Sequence, residues 1–137
     1  MNRPQMTDTA TARTRKLDAM GAGGKASIDR ARVIGLEAIL GMELSEIVDT
    51  LVRSVAAEID KVDRALAAGR PQDAVHPAHR ARNDGLLIGA EALLAELIDV
   101  ETAGSRGDLE LAREALERVR VAWPAAREEL QRCTAGR

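Results

Sequence analysis

The chain contains no phenylalanine and no tyrosine, and tryptophan occurs once, so aromatic residues make up 1% of its 137 residues. Apolar residues still reach 45%, supplied mainly by alanine, leucine, valine and isoleucine. This fraction is too high for a disordered chain, and the shortage of strand-favouring aromatics argues against most β-sandwiches and barrels. Alanine, leucine, glutamate and arginine are strong helix formers, so the composition predicts one mostly helical domain.

Cysteine and long apolar runs are also scarce. The single cysteine, Cys133, excludes an internal disulfide and a cysteine metal cluster. No run of apolar residues approaches the roughly 18 that a membrane span requires. The first residues contain no apolar segment of the signal-peptide type. We therefore expect a cytoplasmic protein with no membrane partner.

The charge of the chain argues against nucleic acid as a partner. Lysine and arginine total 20 against 22 aspartate and glutamate residues, a formal net charge of −2. Residues 1–27 hold five of the basic side chains and two of the acidic ones, so residues 28–137 are net acidic. Phosphate binding needs a basic field, and binding of single strands relies on aromatic stacking.

The pattern along the chain predicts a flexible N-terminal tail at residues 1–27 and a helical domain at 28–137. A short first helix ends at Gly41, and one apolar stripe predicts a second helix from Leu44 to Ala68. Further helices are predicted between Pro71 and Leu87, from Ala90 to Ala103, and after Asp108, which we expect to cap the last one. Four long helices with short connections predict an antiparallel up-down-up-down four-helix bundle with a short extra N-terminal helix, acting as a monomer.

The third helix differs from the others because its apolar face is made of small residues. That face carries Ala74, Ala78, Ala81, Gly85 and Ile88. The opposite, exposed face carries Gln72, His76, His79 and Asn83, with Arg80 and Arg82 beside them. Both histidines of the protein therefore lie on one exposed helix face, three residues apart.

Three interpretations of this histidine pair are open. Two surface histidines can lie near each other by chance. A metal site would need a third ligand, for which only Asp73 or Asp84 is near, and the neighbouring arginines repel cations, so we expect no metal. The third interpretation is a histidine that carries a phosphoryl group. That chemistry needs an exposed imidazole, a nearby cation and small neighbours that let a partner approach, and His79 has all of these.

The segment His79-Arg80-Ala81-Arg82-Asn83-Asp84-Gly85-Leu86-Leu87-Ile88-Gly89-Ala90 resembles the signature of histidine-containing phosphotransfer (Hpt) domains. In that family a basic residue follows the histidine at the third position, and a hydrophobic residue, a glycine and a small residue follow from the ninth. Arg82 and the triplet Ile88-Gly89-Ala90 match these positions. Arg82 replaces the usual lysine, and Asn83 replaces the usual glycine. The resemblance covers roughly residues 30–132.

The resemblance implies a phosphorelay intermediate of two-component signal transduction. His79 would accept a phosphoryl group from the phospho-aspartate of a receiver domain and pass it to another receiver aspartate, while Arg82 offsets the phosphate charge. The partners would be response-regulator receivers or a hybrid histidine kinase. The receiver would supply Mg²⁺ and most catalytic groups, so the chain needs no cofactor and is a phosphoprotein carrier rather than a complete enzyme.

Four residues around His79 are expected to contact the receiver: Gln72, His76, Asn83 and Leu86. We expect the docking surface to continue onto the helix predicted from Leu44 to Ala68. An alternative belongs to another class of protein. In it, the chain is a helical adaptor, or a degenerate Hpt-like bundle, that binds a receiver without being phosphorylated. Asn83 and Asp84, which depart from the family pattern, keep this alternative open.

Overall fold

The structure, a computed structural model, describes residues 27–135, and within that range it is built of helices without a β-strand. The five α-helices are α1 (Arg30–Leu40), α2 (Leu44–Ala67), α3 (Val75–Leu87), α4 (Glu91–Ser105) and α5 (Leu109–Ala135), and a 3₁₀ turn at Pro71–Ala74 precedes α3. The all-helical prediction is confirmed. The tail predicted for residues 1–27 lies outside the described residues except for Ser27.

The helices end and begin where local chemistry indicates. Gly41 ends α1 in the left-handed conformation with φ of +65°, as the sequence predicts. Asp29 caps the start of α1, since its Oδ1 accepts a hydrogen bond of 3.1 Å from the Arg32 N–H. Asp108 caps α5 in the same way, with a bond of 3.1 Å from the Leu111 N–H. The predicted cap at Asp108 is therefore confirmed.

The segment predicted as one helix from Pro71 begins instead as the 3₁₀ turn, and α3 starts at Val75. Pro77 is the third residue of α3. A proline is tolerated in the first turn because the N–H it lacks has no partner within the helix there. The proline therefore stands near the start of α3, and the helix continues from it without interruption past His79 to Leu87.

The core lies where four of the helices meet. Helix α3 packs against α2 and α4, helix α5 packs against α4 and α2, and α1 contacts α2 and α5. Most of the apolar stripe predicted for α2 is buried, namely Ile47, Val48, Leu51, Val55, Val62 and Leu66. Helix α3 contributes its small residues Ala78 and Ala81, and Ala74 just before it and Ile88 just after it are also fully buried. The predicted small-residue face of this segment is therefore confirmed.

Some apolar residues of α1 and α4 are exposed. Ile39 and Leu40 are exposed because α1 is buried only through Val33 and Leu36, and its last turn does not join the core. Ile98 of α4 is 45% exposed, whereas Leu93 and Leu97 of the same helix are buried. The exposed position of Ile98 matters for the site described next.

Candidate functional site

The side of α3 that carries His79 faces α4. The two helices are joined by the short turn Ile88–Ala90, so residues at similar distances from the turn lie opposite each other. A Cβ built on Gly104 would lie 3.0 Å from Val75 Cγ2, and one built on Gly85 would lie 3.5 Å from Leu94. His79 lies on α3 between Val75 and Gly85, the residues of these two contacts, and the residue opposite it on α4 is Glu101.

His79 is held at one ring nitrogen. Glu101 Oε2 lies 2.9 Å from Nδ1, and Arg82 Nη2 lies 2.7 Å from the same atom. Among the described residues, no group forms a hydrogen bond with Nε2. The side chain of His79 is 43% exposed, so the ring is held at Nδ1 in a partly buried contact and has a solvent-accessible edge.

Arg82 and Glu101 also contact each other directly. Arg82 Nε lies 2.9 Å from Glu101 Oε1, which makes an ion pair. The Nε atom is buried and forms no hydrogen bond within the described part of the chain, so this contact is one of charge rather than a directed bond. The three side chains form one cluster, here called the His79 cluster (His79, Arg82 and Glu101). In it, a cation and an anion both lie at the inner side of the imidazole.

The other predicted site residues surround His79 at greater distance. His76, Asn83 and Leu86 lie on α3 and are exposed, one turn before and one to two turns after His79. Gln72 lies in the 3₁₀ turn and is also exposed, but its Nε2 lies against the loop at Gly107. The structure thus brings Arg82 to His79 directly, and places His76, Asn83 and Leu86 around it on the surface.

Charged residues adjacent to His79 in the sequence point to the other side of α3. Asp84 Oδ2 accepts a hydrogen bond of 2.7 Å from the Ser54 hydroxyl of α2. Arg80 Nη1 lies 3.9 Å from Glu58 Oε2, also on α2. The negative charge of Asp84, which departs from the Hpt pattern, is therefore turned toward α2, whereas the His79 cluster faces α4.

An exposed apolar pair flanks the His79 cluster. Leu86 is 58% exposed and lies four residues after Arg82 on α3. Ile98 lies three residues before Glu101 and four after Leu94, on the stripe of α4 that faces α3. Both residues therefore line the same side of the α3–α4 pair as His79.

Glu101 is the residue of the cluster that our sequence reasoning did not select. The signal was present, because Glu101 continues the apolar spacing of Leu93, Leu97 and Ile98 along α4. A carboxylate at a position of an apolar stripe needs a partner in the fold. Without the register of α3 against α4, the sequence does not show which partner that is.

Cys133 is a buried free cysteine. It is 8% exposed, and burial raises the pKa of its thiol above the ordinary value. The thiol therefore stays protonated and inaccessible, and Cys133 offers no nucleophile at the surface.

Comparison with known proteins does not place the chain in a family. No protein-family model matches it, and no match was found among the curated proteins or the solved structures. Within residues 27–135, no helix is long and apolar enough to cross a membrane. No group of three or more histidine, cysteine, aspartate or glutamate side chains in that range is placed to hold a metal ion.

Proposed function

We propose that the protein is a phosphoryl carrier of the Hpt type, which accepts a phosphoryl group on His79 from a receiver domain and passes it to another receiver. The observation that carries the proposal is the attachment of the His79 ring. Its Nδ1 is held by Glu101 and Arg82, while its outer edge is accessible. An imidazole fixed at one nitrogen and open at the other suits repeated attack on a partner's phosphoryl group.

The reaction needs few groups from this chain. The Nε2 lone pair attacks the phosphorus of the receiver's phospho-aspartate. A nitrogen–phosphorus bond forms, the bond from phosphorus to the aspartate oxygen breaks, and the carboxylate leaves with the electron pair. In the second step a carboxylate of another receiver attacks the same phosphorus, the nitrogen–phosphorus bond breaks, and its electron pair returns to Nε2. The receiver supplies Mg²⁺, so the chain acts as a carrier and not as a complete enzyme. We place this carrier in the cytoplasm.

The helix contacts support the proposed arrangement of an up-down-up-down four-helix bundle with α1 added outside it. Contacts between α2 and α3 join Ser54 to Asp84 and Glu58 to Arg80. Residue numbers therefore rise along α2 as they fall along α3. The contacts of α3 with α4 follow the same rule. Both pairs are therefore antiparallel, as short connections require.

The proposed docking face spans α3 and α4. Sequence reasoning placed it on α3 and α2, but the His79 cluster and the exposed pair Leu86 and Ile98 lie on the α4 side. A partner that reaches Nε2 would cover these two apolar residues, and apolar contacts at the centre of an interface contribute much of its affinity.

The first test is labelling with phosphorylated receiver domains. The wild-type protein, mixed with a panel of receivers that carry radiolabelled phosphate, should gain phosphate that is acid-labile and base-stable. His79→Gln should abolish the label with the fold intact by circular dichroism. His76→Gln is the matched control on the same helix face and should keep most of it. Loss of the label in His76→Gln alone would show that His79 is not the acceptor.

The docking face has its own test. Ile98→Ser should weaken binding of the receiver that labels the protein by about fivefold or more, since a central apolar contact contributes 1 kcal/mol or more. Val121→Ser is the matched control, because Val121 is 75% exposed but lies on α5. Titration calorimetry measures both. Equal affinities for the two variants would remove α4 from the docking face.

One observation favours the adaptor as a second candidate. Arg82 is already paired with Glu101, so a phosphoryl group on His79 would have to compete for its cation. An adaptor would bind receivers without gaining phosphate. Binding in the calorimeter together with absence of acid-labile phosphate, for every receiver that binds, would favour this candidate over the carrier.

A further inference from the structure

Two side chains make opposite demands on the same nitrogen of His79. Arg82 Nη2, 2.7 Å from Nδ1, can only donate a hydrogen bond. The carboxylate oxygen Oε2 of Glu101, 2.9 Å from Nδ1, can only accept one. A neutral imidazole has one N–H and one lone pair, so Nδ1 can satisfy only one of these neighbours at a time. The neighbour that it satisfies decides which nitrogen carries the lone pair.

The two choices differ in chemical consequence. If Nδ1 accepts from Arg82, the proton lies on Nε2, and the only lone pair of the ring is covered by Arg82 and Glu101. If Nδ1 donates to Glu101, the lone pair lies on Nε2 at the accessible edge. Only the second tautomer offers a nucleophile to a partner.

Glu101 has the contacts needed to impose the second tautomer. Its Oε2 takes the Nδ1 proton while its Oε1 lies 2.9 Å from Arg82 Nε, so one carboxylate holds both neighbours. The attraction between Arg82 and the Glu101 carboxylate is stronger than that between Arg82 and a neutral imidazole, because both partners in the ion pair are charged. We infer that Glu101 is a positioning residue. It keeps the proton of His79 on Nδ1, and it holds Arg82 so that an Arg82 N–H does not donate to Nδ1 instead.

The inference gives Glu101 a part in phosphoryl transfer, and this part rests on the function proposed above. When Nε2 bonds to phosphorus, no proton has to leave the ring, since Nε2 carries none. The positive charge that the ring gains is offset by the carboxylate oxygen 2.9 Å from Nδ1. Glu101 touches neither the phosphorus nor the leaving carboxylate, so it acts through His79.

The tautomer of His79 can be measured without any partner. Long-range ¹H–¹⁵N correlation spectra of the labelled protein, recorded where both histidines are neutral, distinguish a ring protonated on Nδ1 from one protonated on Nε2. Wild-type His79 should carry its proton on Nδ1. His76 has no hydrogen bond or ion pair with the described residues, and therefore serves as an internal reference for an unconstrained ring.

Three variants separate the two neighbours. Glu101→Ala should move the His79 proton to Nε2, because Arg82 is then the only described residue that forms a hydrogen bond with Nδ1. Arg82→Ala should leave it on Nδ1. The double variant should bring His79 to the same tautomer ratio as His76. If Glu101→Ala loses its helical circular dichroism, Glu101→Gln replaces it, with a shift in the same direction. A wild-type His79 protonated on Nε2, or a ratio that Glu101 substitution leaves unchanged, would overturn the inference.

Labelling by a receiver separates this inference from the proposed function. Glu101→Ala should accept phosphate at least tenfold more slowly than the wild type, and an unchanged rate would overturn the positioning role in transfer. If no receiver labels the wild type although the tautomer moves as stated, the proposed function fails. Control of the tautomer by Glu101 then still stands.

Discussion

Glu58 is a carboxylate within the apolar stripe of α2, where it is only 8% exposed. Its Oε2 lies 3.5 Å from Lys61 Nζ and 3.9 Å from Arg80 Nη1, and its Oε1 is buried with no hydrogen bond among the described residues. The attraction of two cations at these distances offsets only part of the cost of removing a carboxylate from water. Glu58 thus contacts Arg80 on the α2 side of α3 while one of its own oxygens stays unpaired among the described residues.

We expect Glu58→Met to leave the free energy of unfolding unchanged or to raise it by about 1–2 kcal/mol, since an apolar side chain of similar volume replaces a poorly paired buried charge. Urea unfolding followed by circular dichroism measures the change. Glu114→Met, at an exposed position of α5, is the control and should stay within about 0.5 kcal/mol of the wild type. A loss above about 1 kcal/mol specific to Glu58 would show that its ion contacts stabilise the fold.

The residues of the site were predictable to different degrees. The position of Arg82 beside His79 follows from helical spacing alone, because residues three apart share a face. The contact of His79 with Glu101 depends on how α3 lies against α4, which a helical wheel does not contain. For the same reason Asp84, close to His79 in sequence, is turned away by its hydrogen bond to Ser54.

At the scale of the elements, the start of α3 is fixed by its contact with the end of α4. A Cβ built on Gly104 would lie 2.7 Å from the carbonyl oxygen of Pro71 and 3.0 Å from Val75 Cγ2. The 3₁₀ turn and the first residue of α3 therefore rest directly on the backbone of α4. This contact sets the height of His79 along α4, and with it the pairing to Glu101.

Gly104→Ala should therefore lower the free energy of unfolding by about 1–2 kcal/mol, because overpacking against backbone outweighs the gain in helix propensity. Gly35→Ala is the matched control. Gly35 also lies inside a helix, but no atom of the described residues lies within 4 Å of a Cβ built on it, so this change should stabilise by up to about 1 kcal/mol. Denaturant titration gives both values, and a stabilised Gly104→Ala would show that the 3₁₀ turn yields easily.

The boundaries of the helices were largely predictable, and the burial of their apolar residues less so. Gly41, Gly69, Gly89 and Gly107 have positive φ and lie in the four connections. Glycines that end helices in this way can be recognised from the local sequence. Whether Ile39 or Ile98 is covered depends on which neighbours reach them, and periodicity reports only that they share a face with buried residues. The 3₁₀ turn before α3 was missed because proline and small residues suit both helix types there.

At the scale of the whole molecule, the start of α1 is hydrogen-bonded to the turn that follows α3. The Asp29 N–H donates to the Ile88 carbonyl at 2.8 Å, and Arg32 Nη1 donates to the Leu86 carbonyl at 2.9 Å. Both acceptors lie at the C-terminal end of α3, where carbonyls lack partners within the helix. Helix α1 therefore holds the α3–α4 turn closed, and this turn sets the register on which the His79 cluster depends.

The start of α1 packs most closely against this turn at Gly89, since a Cβ built there would lie 2.5 Å from Asp29 Cβ. Gly41 shares its conformation, with φ of +65° against +64° for Gly89, but within residues 27–135 no atom lies within 4 Å of a Cβ built there. Gly41→Ala should cost only the left-handed strain of about 1–2 kcal/mol. Gly89→Ala should cost about 1–3 kcal/mol more, because α1 must also shift. Unfolding in urea measures the difference, and the ¹⁵N signals of His79 report whether the shift reaches the site. Equal costs for the two variants would mean that α1 does not hold this turn, and that the register of α3 against α4 is maintained by their own packing.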